Sequence, residues 1–140
     1  MESQYIQSPE PGSPMDWLRY ARSDLALART RLEGDILPEL LCFHAQQCVE
    51  KCLKAILLDK NIPIERTHNL NVLMDTLSDV MDIPEHITQS VYLSDYAVAF
   101  RYPSDREPIE ADELQEALEV ANAVLRWTHD MFDFDNKGAE

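Results

Sequence analysis

From Pro38 to Lys60 the chain contains no glycine and no proline beyond its first residue, and polar and apolar side chains recur at three- and four-residue steps. A segment of that length and period is an amphipathic α-helix, and so long a helix needs other helices to cover its apolar side. Pro38 suits a first turn, where its missing N–H has no helical acceptor. Advancing about 100° per residue puts Leu41, Ala45, Cys48, Val49, Cys52, Ala55 and Ile56 on one side. His44, Gln46, Gln47, Glu50, Lys51 and Lys54 fall on the other, within an arc of about 160°. The elementary expectation makes that arc the solvated face, with Glu50 and Lys54 as a favourable i,i+4 pair. Phe43, Leu57 and Leu58 interrupt it, which keeps a second expectation open: a groove or subunit interface.

The rest of the chain supplies the covering helices. Trp17, Leu18, Ala21, Leu25, Ala28 and Leu32 form one stripe, predicting a helix from Met15 or Asp16 to Glu33 that Gly34 ends. Leu70, Leu73, Met74 and Leu77 predict a helix over Asn69–Val80. Pro84 starts another, predicted to run through Phe100 before Pro103 stops it. The last is predicted over Ile109–Phe132, with Leu114, Leu118, Ala121, Leu125 and Phe132 inside. With 140 residues, 45% hydrophobic and only three glycines, the expectation is one all-α domain over 15–132. That domain is an up-and-down four-helix bundle with an additional short helix. Residues 1–14 are expected to be a flexible leader and 133–140 a flexible acidic tail.

A formal charge of −14 argues against generic DNA or RNA binding, which needs a basic surface. The charge is uneven. Residues 15–33 are net basic by one, whereas 104–140 hold the densest acidic run, so an anionic ligand is expected on the first half. No apolar run approaches the roughly 20 residues that cross a bilayer, and the start lacks signal-peptide character. Cys42, Cys48 and Cys52 are odd in number and share one helix, which suggests no disulfide framework and a cytoplasmic setting. His44, Cys48 and Cys52 lie at i, i+4 and i+8. Eight helical residues span about 12 Å, too far for one zinc ion, so no metal site is expected. No P-loop or glycine-rich phosphate cradle is present, and no cofactor is expected.

Four fragments in order carry a resemblance: WLRYARSDLALA at Trp17–Ala28, FHAQQCVEKCLKAIL at Phe43–Leu57, THNL at Thr67–Leu70 and YAVAFRYP at Tyr96–Pro103. Together they resemble the HEPN domain, the higher-eukaryote and prokaryote nucleotide-binding family. The resemblance implies a bundle of four main helices plus a shorter one, usually a homodimer. It also implies frequent pairing with a minimal nucleotidyltransferase in toxin–antitoxin-like systems. Many members are metal-independent ribonucleases whose arginine is followed, four to six positions later, by a histidine. Here Arg101 is the candidate arginine, but Tyr102 follows it and the stretch through Pro108 has no histidine. Cleavage without metal needs a general base, a proton donor and a cation for the phosphorane. Arg101 supplies only the last, so the alternative of a ribonuclease toxin requires His44 or His68 to approach through the fold.

The polar positions matching the family pattern are His44, Gln47, Lys51, Lys54, His68, Tyr96 and Arg101. As a nucleotide kit, Lys51, Lys54 and Arg101 neutralise phosphate, Tyr96 and Tyr102 stack on a base, and Gln47 reads its edge. ATP, GTP or another nucleotide is the expected ligand class. Each residue also has a plainer role: Arg101 as a helix cap, His68 as the partner of a backbone group, Tyr92, Tyr96 and Phe100 as core. Trp17 and Trp127 are expected to anchor the core or an interface.

Overall fold

The structure is a computed structural model that describes residues 9–64, 66–99 and 108–138, and among these every regular element is helical. Helix α1 spans Pro14–Ala28, α2 Pro38–Asp59, α3 Leu70–Ser78 and α4 Glu85–Thr88. A 3-10 turn over Gln89–Ser94 leads into α5, Asp95–Ala99, and the long α6 covers Ala111–Gly138. The all-α bundle expected from the periodicity is the fold.

Helix α2 is the central element, packed along both α1 and α6 with α3, the 3-10 turn and α5 around it. Its apolar side behaves as the wheel requires: Cys42, Ala45, Cys48, Val49, Cys52, Leu53, Ala55 and Ile56 are all buried, and so is Leu57 from within the polar arc. Contacts between α1 and α2 pair residue 24 with 44 and 51, 20 with 51, and 17 with 54. Rising numbers on one helix meet falling numbers on the other, so the two run antiparallel.

Local chemistry sets most boundaries. The Ser13 hydroxyl accepts from the Asp16 backbone N–H, and Pro14 takes the first helical position of α1. Asn69 caps α3 through Asn71 N–H.

Three boundaries differ from the periodic reading. Helix α1 ends at Ala28 with Arg29 as its cap, so Leu32 lies outside it and is 45% exposed. Gly34 does take a left-handed φ of 59°, but in the connection to α2 and not as the helix terminus. The single helix expected from Pro84 to Phe100 is broken into α4, the 3-10 turn and α5, a tightening that buries Ile87, Ser90, Leu93 and Tyr96 in succession. Helix α6 continues past Phe132 to Gly138, into residues expected to be tail.

A hydrogen bond ties α5 to α6: the Tyr96 hydroxyl donates to Glu113 Oε2 at 2.5 Å. The ring is 4% exposed, and burial followed by this bond pushes the phenol well above its ordinary range. The folded state therefore holds the neutral phenol. Stability is complete below the ordinary phenol pKa and falls as pH rises through and beyond it, because the unfolded chain ionises first. Urea denaturation at roughly pH 8 and pH 11 is expected to show this loss, and Tyr96→Phe to reduce it. At neutral pH the same variant is expected to lose about 1 kcal/mol, the net worth of one hydrogen bond.

Candidate functional site

Two buried carboxylates organise the polar arc of α2. Glu50, 2% exposed, faces the segment leading into α3. Its carboxylate accepts from Lys54 Nζ at 2.9 Å and Gln46 Nε2 at 3.1 Å, and His68 Nδ1 lies 3.0 Å from Oε1. Gln46, wholly buried, also donates to the His68 backbone carbonyl at 3.0 Å and accepts from Gln47 Nε2 at 2.7 Å. The Lys54 ammonium sits 5.6 Å from the Trp17 ring centroid, a cation–π contact that covers it from the α1 side. A carboxylate surrounded by an ammonium and amide donors is an acceptor only, so Nδ1 of His68 is the donor. In the neutral ring that leaves Nε2 as an acceptor.

The second centre is Asp24 on α1, 6% exposed. Its Oδ2 accepts from Lys51 Nζ at 2.5 Å, and its Oδ1 lies 3.0 Å from His44 Nδ1. The Lys51 ammonium and the Arg19 guanidinium both stand over the Tyr20 ring, at 5.7 and 5.0 Å from its centroid. Arg19 in turn binds Asp16, whose carboxyl is held below the usual range by the Gly12 backbone N–H and then by that guanidinium.

His68, with 55% of its side chain exposed, opens onto a cleft of about 360 Å³. Asn69, Asn71, Ser94, Asp95 and Ala97 line the rest of it. A second cleft of similar size, lined by His86, Gln89, Tyr92, Glu116 and Glu119 among others, holds none of the family-matched positions.

The solvated-face expectation is therefore overturned for Gln46, Glu50 and Lys54, which are 0%, 2% and 7% exposed. Their neighbours His44, Gln47 and Lys51 are half-buried. The cause is tertiary: α1 brings Trp17 and Asp24, and the segment before α3 brings His68, onto a face that the wheel leaves bare. Lys51 and Lys54 do not converge on one concavity; each binds its own carboxylate. Tyr96 lies in the core rather than on a cleft wall, and Trp17 and Trp127 pack against that core. Arg101 and Tyr102 lie outside the described residues.

The residue that pattern reading passed over is Asp24. Its signal is present in the sequence, since it stands among the buried positions Ala21, Leu25 and Ala28 on one face of α1. A carboxylate in an apolar register requires a partner. Among the described residues no set of three His, Cys, Asp or Glu side chains is arranged to hold a metal ion, and Cys42, Cys48 and Cys52 are buried free thiols. No helix among them is long and apolar enough to cross a membrane.

The model of the HEPN domain matches residues 14–131. Among solved structures, TT1696 from Thermus thermophilus is 30% identical with a TM-score of 0.72, the match covering 84% of this chain and 96% of that one. ST0689, an archaeal HEPN homologue, is 28% identical with a TM-score of 0.67, over 85% and 97% of the two chains. An HEPN domain protein from Thermotoga maritima shares the fold at 20% identity and a TM-score of 0.52, over 86% and 93%. No curated protein matches the sequence significantly.

The Glu50 centre makes a quantitative prediction. Lys54→Met removes the ammonium while Glu50 stays buried, and is expected to cost about 3 kcal/mol in chemical denaturation. Adding Glu50→Gln removes the stranded charge and is expected to recover much of that loss. A double-variant cost equal to the sum of the costs of Lys54→Met and Glu50→Gln measured singly would show that the pair is not coupled.

Proposed function

Because the chain belongs to the HEPN domain family, we propose that it is a nucleotide-binding module acting as a homodimer beside a minimal nucleotidyltransferase, in a cytoplasmic toxin–antitoxin-like pair. The observation that carries the ligand site is the Glu50–His68 pair: a buried carboxylate holds a half-exposed imidazole at the mouth of a polar cleft. Functional imidazoles are oriented in this way, by a partner on one ring nitrogen that leaves the other for the ligand. Lys54 and Gln46 then act by fixing Glu50, and Lys51 with His44 by fixing Asp24, instead of binding phosphate themselves. Gln47 supports Gln46 by donating to its side-chain oxygen. Phosphate contact falls to Arg101, with Tyr102 as the candidate stacking partner. For the second copy, the exposed apolar side chains Tyr20, Leu27, Leu32 and Leu37 along α1 and its connection offer a surface.

Calorimetric titration with ATP and GTP tests the site. Binding is expected, with at least a tenfold loss in His68→Ala, whose folding is checked by circular dichroism and which leaves Glu50 its Lys54 and Gln46 donors. Absence of binding to both nucleotides would overturn the ligand reading. Co-expression with a nucleotidyltransferase encoded beside the gene is expected to give a stable complex, with a homodimeric mass for this chain.

A second reading, a metal-independent ribonuclease with an atypical site, is favoured by the same oriented imidazole. His68 supplies the imidazole that a general base requires, and Arg101 the phosphorane-stabilising cation. This reading predicts RNA cleavage that persists in chelator and growth inhibition on expression, both removed by Arg101→Ala and by His68→Ala. Benign growth and intact RNA with the unaltered protein would exclude it.

A further inference from the structure

Within the nucleotide reading, on which this inference rests, the cleft at His68 has a chemical preference that family membership does not supply. We infer that it takes the sugar of a ribonucleotide, with a ribose hydroxyl donating to Nε2 of His68 and a second hydroxyl to the Asp95 carboxylate.

The direction of each hydrogen bond decides this. Glu50 is already the acceptor for Lys54 and Gln46, so the His68 Nδ1 proton is directed at it and Nε2 of the neutral ring can only accept. Asp95, on the same cleft wall, is an acceptor as well. A ligand complementary to two acceptors must donate, and a vicinal diol donates twice from adjacent carbons.

Phosphate is a poor match for the same walls. The first amides of α3, otherwise an anion site, are already taken. Leu70 N–H donates to Ser94 Oγ at 2.8 Å and Asn71 N–H to Asn69 Oδ1 at 2.9 Å. Among the described residues no lysine or arginine lines the cleft, and Asp95 repels an anion. The volume of about 360 Å³ lies at the lower end of ligand sites, enough for a sugar with part of its base.

Glu50 is on this account a positioning residue: it touches no ligand but decides which ring nitrogen carries the proton. Glu50→Gln replaces an obligate acceptor with a group whose amide can donate to Nδ1. That moves the ring proton to Nε2 and turns the acceptor facing the cleft into a donor.

The test compares ATP and GTP with their 2′-deoxy and 3′-deoxy forms by calorimetry on the full chain, alongside 15N NMR of the histidine rings. The expected result is about tenfold weaker binding of at least one deoxy form, and an Nδ1-protonated neutral tautomer for His68 in the unaltered protein. Glu50→Gln, if folded, is expected to switch the tautomer and erase the ribose preference. Equal affinity for ribo and both deoxy forms would overturn the inference while leaving the nucleotide reading standing. So would an Nε2-protonated neutral ring in the unaltered protein, a measurement that needs no variant to fold. No binding of ATP or GTP would remove the nucleotide reading, and this inference with it.

Discussion

Glu50 carries a full charge into the seam between α2 and the segment that begins α3, and much of the molecule is arranged around that fact. A carboxylate moved out of water costs several kcal/mol unless donors surround it. Here the donors come from three directions: Lys54 one turn further along the same helix, Gln46 one turn back, and His68 from across the chain. Removing any of them strands charge, whereas the complete set satisfies it. Every described buried side-chain nitrogen and oxygen has a hydrogen-bond partner. The polar layer is thus fully connected, the condition under which such a layer specifies one arrangement instead of loosening the core.

Asp24 repeats the device on the neighbouring seam. It draws Lys51 and His44 of α2 onto α1, while Trp17 and Tyr20 shield the two ammonium groups with their ring faces. Each centre combines one acid, one lysine and one histidine, but their histidines differ in setting. The His44 side chain is 29% exposed and packs edge-on to Phe43, whereas that of His68 is 55% exposed at a cleft. The asymmetry points function towards the Glu50 centre and leaves the Asp24 centre as a clamp between α1 and α2.

This arrangement also changes what the cations mean. In a chain of net charge −14, lysines matched to a nucleotide-binding family invite assignment to phosphate. Their partners are instead carboxylates of the same chain, so the positive charge is neutralised before any ligand arrives. What lines the cleft is an imidazole, an aspartate, two asparagines, a serine and an alanine. Such a set discriminates by hydrogen-bond direction more than by charge.

The helices and the family were legible in the order of residues alone. A 3.6-residue apolar period and Pro38 at a first turn are local signals, and local signals survive without knowledge of neighbours. Chemical capacity was legible too, since His44, Glu50, Lys54 and His68 can be read directly. Which of those residues see water depended on the fold. A wheel shows a polar arc on α2 but not the aspartate that α1 delivers twenty residues earlier, nor the histidine that arrives eighteen residues later. Packing likewise broke the stretch after Pro84 into short turns, because burying Ile87, Ser90, Leu93 and Tyr96 together needs a tighter winding than one straight helix provides. Periodicity is set by the backbone within a few residues, whereas the partner of a buried charge is set by whatever the fold places opposite it.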